Sequence, residues 1–288
     1  MAAGLLALGM LAGCAATGMP GNAGTLRYLA LGDSYTIGEG VAEDGRWPLQ
    51  LARALRDAGI PLADPRIIAT TGWTTDELSA AIDAMDAGFV GAASVAAASA
   101  ASSSRNIAPA QELAAEAAPT TGPGAAPTRR PESSRLKPLP RRAVTAATAQ
   151  ACDFVSLLIG VNDQYRGRDL EDYRAGFAAL LERAIGFAGG DPGRVLVLSI
   201  PDWGATRFGR ESGRDTGAIA RELDAYNAAA RAACNARGVA FVDITAASRT
   251  HGAQPAMLAD DGLHPSAAAY ADWTRLALPV ARRLLAPR

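Results

Sequence analysis

At 288 residues, with 49% hydrophobic and 20% charged side chains, the chain suits one domain with appendages and carries enough apolar matter for a core. Its net charge of −1 excludes a protein whose whole surface binds nucleic acid or anionic membrane. Three cysteines (Cys14, Cys152 and Cys234) and two histidines show no zinc-ligand spacing, so no structural metal site is expected. Cys152 and Cys234 read as small core residues, with a disulfide as the alternative.

The first residues, MAAGLLALGMLAGC, form an apolar run that ends in small residues, as a secretory segment does at its cleavage site. The run is shorter than the roughly 20 residues a membrane span needs. Leu11 to Cys14 resembles a bacterial lipobox, whose cysteine is lipidated, although no Lys or Arg precedes the run and the first charged side chain is Arg27. Residues 1–24 are therefore expected to be a leader and linker. The expected location is periplasmic, extracellular or membrane-anchored, with attachment through a lipidated Cys14.

From residue 25 short apolar runs alternate with longer periodic ones. RYLALG (27–32) predicts a buried strand, and WPLQLARALRDAG a helix after it. RIIAT (66–70) is a second strand, and TTDELSAAIDAM a second helix with Thr74 or Thr75 as its cap. DFVSLLIG (153–160) is the most apolar strand, followed by an amphipathic helix over LEDYRAGFAALLERAIGFA. RVLVLSI (194–200) and VAFVDI (239–244) are two more strands, separated by a helix that ends at Gly238. A last helix begins near Pro265. Apolar strands alternating with helices predict an α/β fold: a three-layer α/β/α sandwich around a five-stranded parallel sheet. Ligands then bind beyond the carboxyl ends of the strands.

Residues 88–150 interrupt this pattern. They are rich in Ala, Ser, Pro and Arg, with few aromatics and no amphipathic period, and so read as a low-complexity disordered insertion within a domain spanning 25–288. The arginines of 129–142 read as a solvated run, and no nucleic-acid partner is assigned to them.

With only two histidines, the general base of a serine hydrolase has few candidates. His251 lies in the polar stretch SRTHGAQP with no acid near it in sequence. His264 lies in ADDGLHPS, three positions after Asp261, close enough for the carboxylate to fix its tautomer and stabilise an imidazolium. Asp260 is the weaker candidate for that role. Ser34 directly follows the first strand in YLALGDSYTIGEG, on a turn that exposes a hydroxyl and free N–H groups. No G-x-S-x-G is present, so the α/β-hydrolase nucleophile elbow is absent. At the next two strand ends, Gly72 offers a backbone donor and Asn162 a side-chain amide. Asp33 and Asp163 read as turn-forming or hydrogen-bonding residues. Asp202, Trp203, Tyr35, Tyr165 and Arg166 are either pocket-lining or packing residues.

GDS (32–34), Gly72, GVND (160–163) and DGLH (261–264) resemble, in order, the four conserved blocks of the SGNH/GDSL hydrolases. LSIPDWGATRFG is similar to a segment of bacterial members with esterase-like character. The resemblance implies Ser34 as nucleophile and His264 as base oriented by Asp261. It implies Ser34, Gly72 and Asn162 as oxyanion donors, and neither metal nor organic cofactor. The expected partner is a small-molecule, glycan or lipid ester. In the alternatives the same site transfers the acyl group to another hydroxyl, deacetylates carbohydrate, or is retired in a lipoprotein that only binds glycan. Fold alone does not choose the acyl group.

Overall fold

The computed structural model describes residues 24–88 and 151–287. The leader through residue 23, with Cys14, and the segment 89–150 lie outside the described residues.

Five short strands, β1 (Tyr28–Gly32), β2 (Arg66–Ala69), β3 (Phe154–Leu158), β4 (Val195–Leu198) and β5 (Ala240–Val242), form one sheet in the order β2-β1-β3-β4-β5. Every pairing is parallel, as expected from strands with no polar face. Leu31, Phe154, Leu157, Leu196 and Val197 are fully buried. Each sheet face is covered by helices. On one face α2 (Trp47–Asp57) packs along the C-terminal α9 (Ala267–Leu285), bringing Trp47, Leu51 and Leu55 into the same core as Tyr270 and Trp273. On the other, α5 (Leu170–Phe187) packs between α3 (Thr75–Gly88) and α7 (Thr216–Arg237), and the rings of Tyr173 and Tyr226 stack with centroids 4.3 Å apart. The chain moves outward from β1 to β2, then crosses back to β3. The strand order thus reverses between β1 and β3, which opens a crevice above their carboxyl ends.

The periodic runs predict these elements to within three residues, including the end of α7 at Gly238. Short helices lie outside that reach: α1 (Ser34–Ile37), α4 (Val161–Tyr165), α6 (Arg207–Glu211) and α8 (Thr245–His251). The last contains His251, which the sequence placed in a polar loop. Seven residues show too little periodicity to signal a helix. Both described cysteines are free thiols, so the disulfide alternative is not realised between them. Cys234 is buried in α7 and its thiol is pushed up to about 12 by desolvation, whereas Cys152 is only half-buried, just before β3.

Candidate active site

The turn after β1 is built around close approach. A Cβ on Gly32 would overlap the Thr36 hydroxyl and the Leu158 carbonyl, so only glycine lets α1 start this near β3. Asp33 caps α1, its Oδ1 accepting the Tyr35 N–H at 3.0 Å, and Ser34 becomes the first helical residue, 4% exposed. Burial raises the Asp33 carboxyl to about 8; the Tyr35 N–H opposes the rise, the nearby charge of Asp163 adds to it, and the Gly160 N–H opposes it again. Asp33 therefore serves as a cap, as its turn position suggested.

The ends of β2 and β3 are tied together beside this turn. Gly72 has φ of 88°, in the left-handed region, and its carbonyl accepts from Arg166 Nη2 at 2.9 Å. Asn162 donates one Nδ2 hydrogen to the Trp73 carbonyl at 2.9 Å. An amide nitrogen carries two hydrogens, so the second is left for the cleft that Asn162 lines. The next residue, Asp163, is wholly buried and accepts the Thr75 N–H at 3.0 Å and the Thr75 hydroxyl at 2.7 Å. At the head of α3, Glu77 accepts the Thr74 N–H at 2.7 Å, a capping box with Thr74 as the cap.

Asp261 and His264 meet through a tight turn, not through a helical one. Asp261 Oδ1 accepts the N–H groups of Leu263 (2.8 Å) and His264 (2.9 Å), and Oδ2 lies 2.5 Å from His264 Nδ1. Burial raises the Asp261 carboxyl, but the bond and charge of His264 and the two N–H groups outweigh it and hold the group down at about 2. An ionised carboxylate only accepts, so Nδ1 carries the proton and Nε2 is the basic nitrogen. Asp260 is exposed, and it is Asp261 that stands against His264 Nδ1.

One expectation is corrected. His251 also has a carboxylate partner: its Nδ1 lies 2.8 Å from Oδ2 of Asp272, on α9. The acid is 21 positions away in sequence and comes close only when α8 packs on α9. What distinguishes His264 is therefore its place, not its acid. His264 shares a cleft with Ser34, while His251 lines a neighbouring cavity.

The cleft has a volume of about 50 Å³ and is partly open to solvent. Ser34, Gly72, Asn162 and His264 line it, together with an aromatic wall of Tyr35, Tyr165, Trp203 and Phe208. Trp203 both packs and lines the cleft. It is 1% exposed, its Nε1 donates to Gln164 Oε1 at 2.8 Å, and Gln164 in turn donates to Glu222 at 2.6 Å. The Arg214 guanidinium lies 5.1 Å from the Trp203 ring and 5.7 Å from the Tyr165 ring. Asp202 lines the neighbouring cavity and not the cleft, and is paired with Arg249 at 2.8 Å. Phe208, Leu263, Val161 and Thr71 also line the cleft and were not singled out from sequence. Phe208 falls within LSIPDWGATRFG, Val161 within GVND and Leu263 within DGLH, so for these three the signal was membership of a motif.

A sequence model described as the GDSL-like Lipase/Acylhydrolase family matches residues 96–271, a stretch that contains Asn162, Asp261 and His264 but begins after Ser34 and Gly72. No curated protein matches the chain. Among solved structures, TesA superposes with a TM-score of 0.53 at 16% identity, covering 90% of this chain and 99% of that one. A lipase/acylhydrolase from Enterococcus faecalis gives 0.52 at 17%, covering 91% and 99%. A lipolytic G-D-S-L family protein from Veillonella parvula DSM 2008 gives 0.52 at 14%, covering 89% and 98%. At these identities the likeness is one of fold.

Proposed function

The chain belongs to the GDSL-like lipase/acylhydrolase family, and on that premise we propose that it is a serine esterase working through an acyl-enzyme on Ser34. The observation that carries this reading is the convergence of Ser34, Gly72, Asn162 and an Asp261-bound His264 on one cleft. Ester hydrolysis is the general activity of the family.

Ser34 Oγ attacks the ester carbonyl carbon while His264 Nε2 takes its proton. The negative charge gathers on the carbonyl oxygen, where the Ser34 and Gly72 N–H groups and the second Asn162 amide hydrogen are the donors. The carbon–oxygen bond to the alcohol then breaks, and the alcohol leaves with the proton from His264. Water enters, gives a proton to Nε2 and attacks the acyl carbon. Ser34 leaves with that proton, and the carboxylic acid is released. Asp261, held ionised, stabilises the imidazolium in both halves.

Ser34→Ala is the direct test. It should abolish hydrolysis of p-nitrophenyl acetate with an unchanged circular dichroism spectrum. Undiminished turnover would remove Ser34 from the chemistry. Export, with lipidation at Cys14, is the corresponding proposal for the leader and is checked by the mass of the amino-terminal peptide from membrane fractions.

A further inference from the structure

A second cavity of about 30 Å³, also partly open to solvent, adjoins the cleft across a wall of Trp203, Tyr35 and Leu263, whose side chains line both spaces. We infer that Trp203 is a chain-length gate, which restricts the acyl group beside Ser34 to short chains by closing the cleft off from this second cavity. The inference rests on the esterase reading and adds the acyl class to it.

The first support is volume. The cleft beside Ser34 is small, about 50 Å³, against the roughly 150 Å³ of a cavity that holds benzene, so a short acyl group suits it and a long one needs further space. It is the acyl group that must fit there. It stays bound to Ser34 while the alcohol departs and water arrives, and both need the side of the cleft that opens to solvent.

The second support is rigidity. A wall that yielded would not select. Trp203 is pinned at its Nε1 by Gln164, which Glu222 holds, and the Arg214 guanidinium lies near its ring and bonds Glu222 at 3.4 Å. Tyr165 meets the ring edge-on with centroids 5.2 Å apart. The turn bearing Trp203 is fixed in turn, because Asp202 accepts the Gly204 N–H at 2.9 Å and is paired with Arg249.

The third support is what lies beyond. Ala247, Met257, Leu258, Pro265, Ala269 and Trp273 give the second cavity a mostly apolar lining. Its ionisable side chains already have partners, His251 with Asp272 and Asp202 with Arg249. A longer hydrocarbon chain would be accepted there if the tryptophan were removed.

The test is a series of p-nitrophenyl esters from acetate to octanoate, run on the full chain and on three variants. The unaltered chain should lose kcat/KM by on the order of tenfold or more between butyrate and octanoate, the scale at which a hydrophobic pocket discriminates chain length. Trp203→Ala should raise the octanoate-to-acetate ratio by on the order of tenfold, and Trp203→Phe, which loses the Nε1 bond to Gln164 and part of the ring, should raise it by less. Should Trp203→Ala fail to fold, Leu263→Ala opens the same partition from its other side and should shift the ratio in the same direction. A flat or rising profile in the unaltered chain overturns the gate while leaving the esterase reading intact, as does an unchanged profile in the folded opening variants. Absence of turnover with every ester overturns both.

Discussion

The chemistry proposed for the candidate site turns on a few residues whose contacts are specific. Asp261 gives all its acceptor strength to a turn that ends in His264, and the same contacts that depress its pKa fix the imidazole tautomer. Asp261→Asn should therefore leave the fold and KM nearly unchanged but reduce kcat by about 10⁴-fold, because an amide can donate to Nδ1 and favour the wrong tautomer. Steady-state kinetics on p-nitrophenyl acetate read this directly. That Ser34, Gly72 and Asn162 stand together at strand ends, and that Asp261 lies beside His264, was legible in the sequence from strand position and short spacing. The Asp272 partner of His251 was not, because sequence spacing reports contacts made within a turn and is silent on those made by packing.

Among the elements, long ones were legible and short ones were not. The five strands and the long helices each carry enough apolar residues to establish a period; α1, α4, α6 and α8 do not, and these are the pieces that shape the cleft. The aromatic wall shows the same limit. Trp203 could be suspected from its place after β4, but only the fold brings Tyr165 and Phe208 against it. One connection between elements carries a measurable load. Asp163 of α4 holds the first residue of α3 through two hydrogen bonds in a dry environment. Asp163→Ala leaves the Thr75 N–H and hydroxyl without these acceptors and should cost about 1–3 kcal/mol of unfolding free energy. Urea denaturation measures it. The replacement of Thr75 by Val should lose less, because the backbone bond survives.

For the whole molecule, the two carboxylates nearest the site set opposite pH trends. Asp261 has a folded pKa of about 2, below its ordinary 3.8, so its contribution is complete above about pH 4 and is lost as pH falls toward 2. Asp33 has a folded pKa of about 8, so it holds a proton in the folded chain that the unfolded chain has already released. Its contribution falls as pH rises from about 4 through 8 and is constant above that. Asp163, also raised by burial, acts in the same sense as Asp33. These groups place the stability maximum on the acid side of neutrality. Thermal melts from pH 2 to 9 should show a decline above the maximum that Asp33→Asn reduces, and an acid decline that Asp261→Asn reduces.

The placement of the two histidines has a use in measurement. The chain contains no other imidazole, and the two stand on opposite sides of the Trp203 partition. A proton NMR spectrum of the imidazole rings therefore comprises two sets of lines, one for each compartment. A small ester analogue confined to the cleft would displace the His264 lines alone, whereas a long one passing the partition would displace both. The protein carries its own pair of spectroscopic reporters for where an acyl chain comes to rest, with no label to introduce and no cysteine to sacrifice.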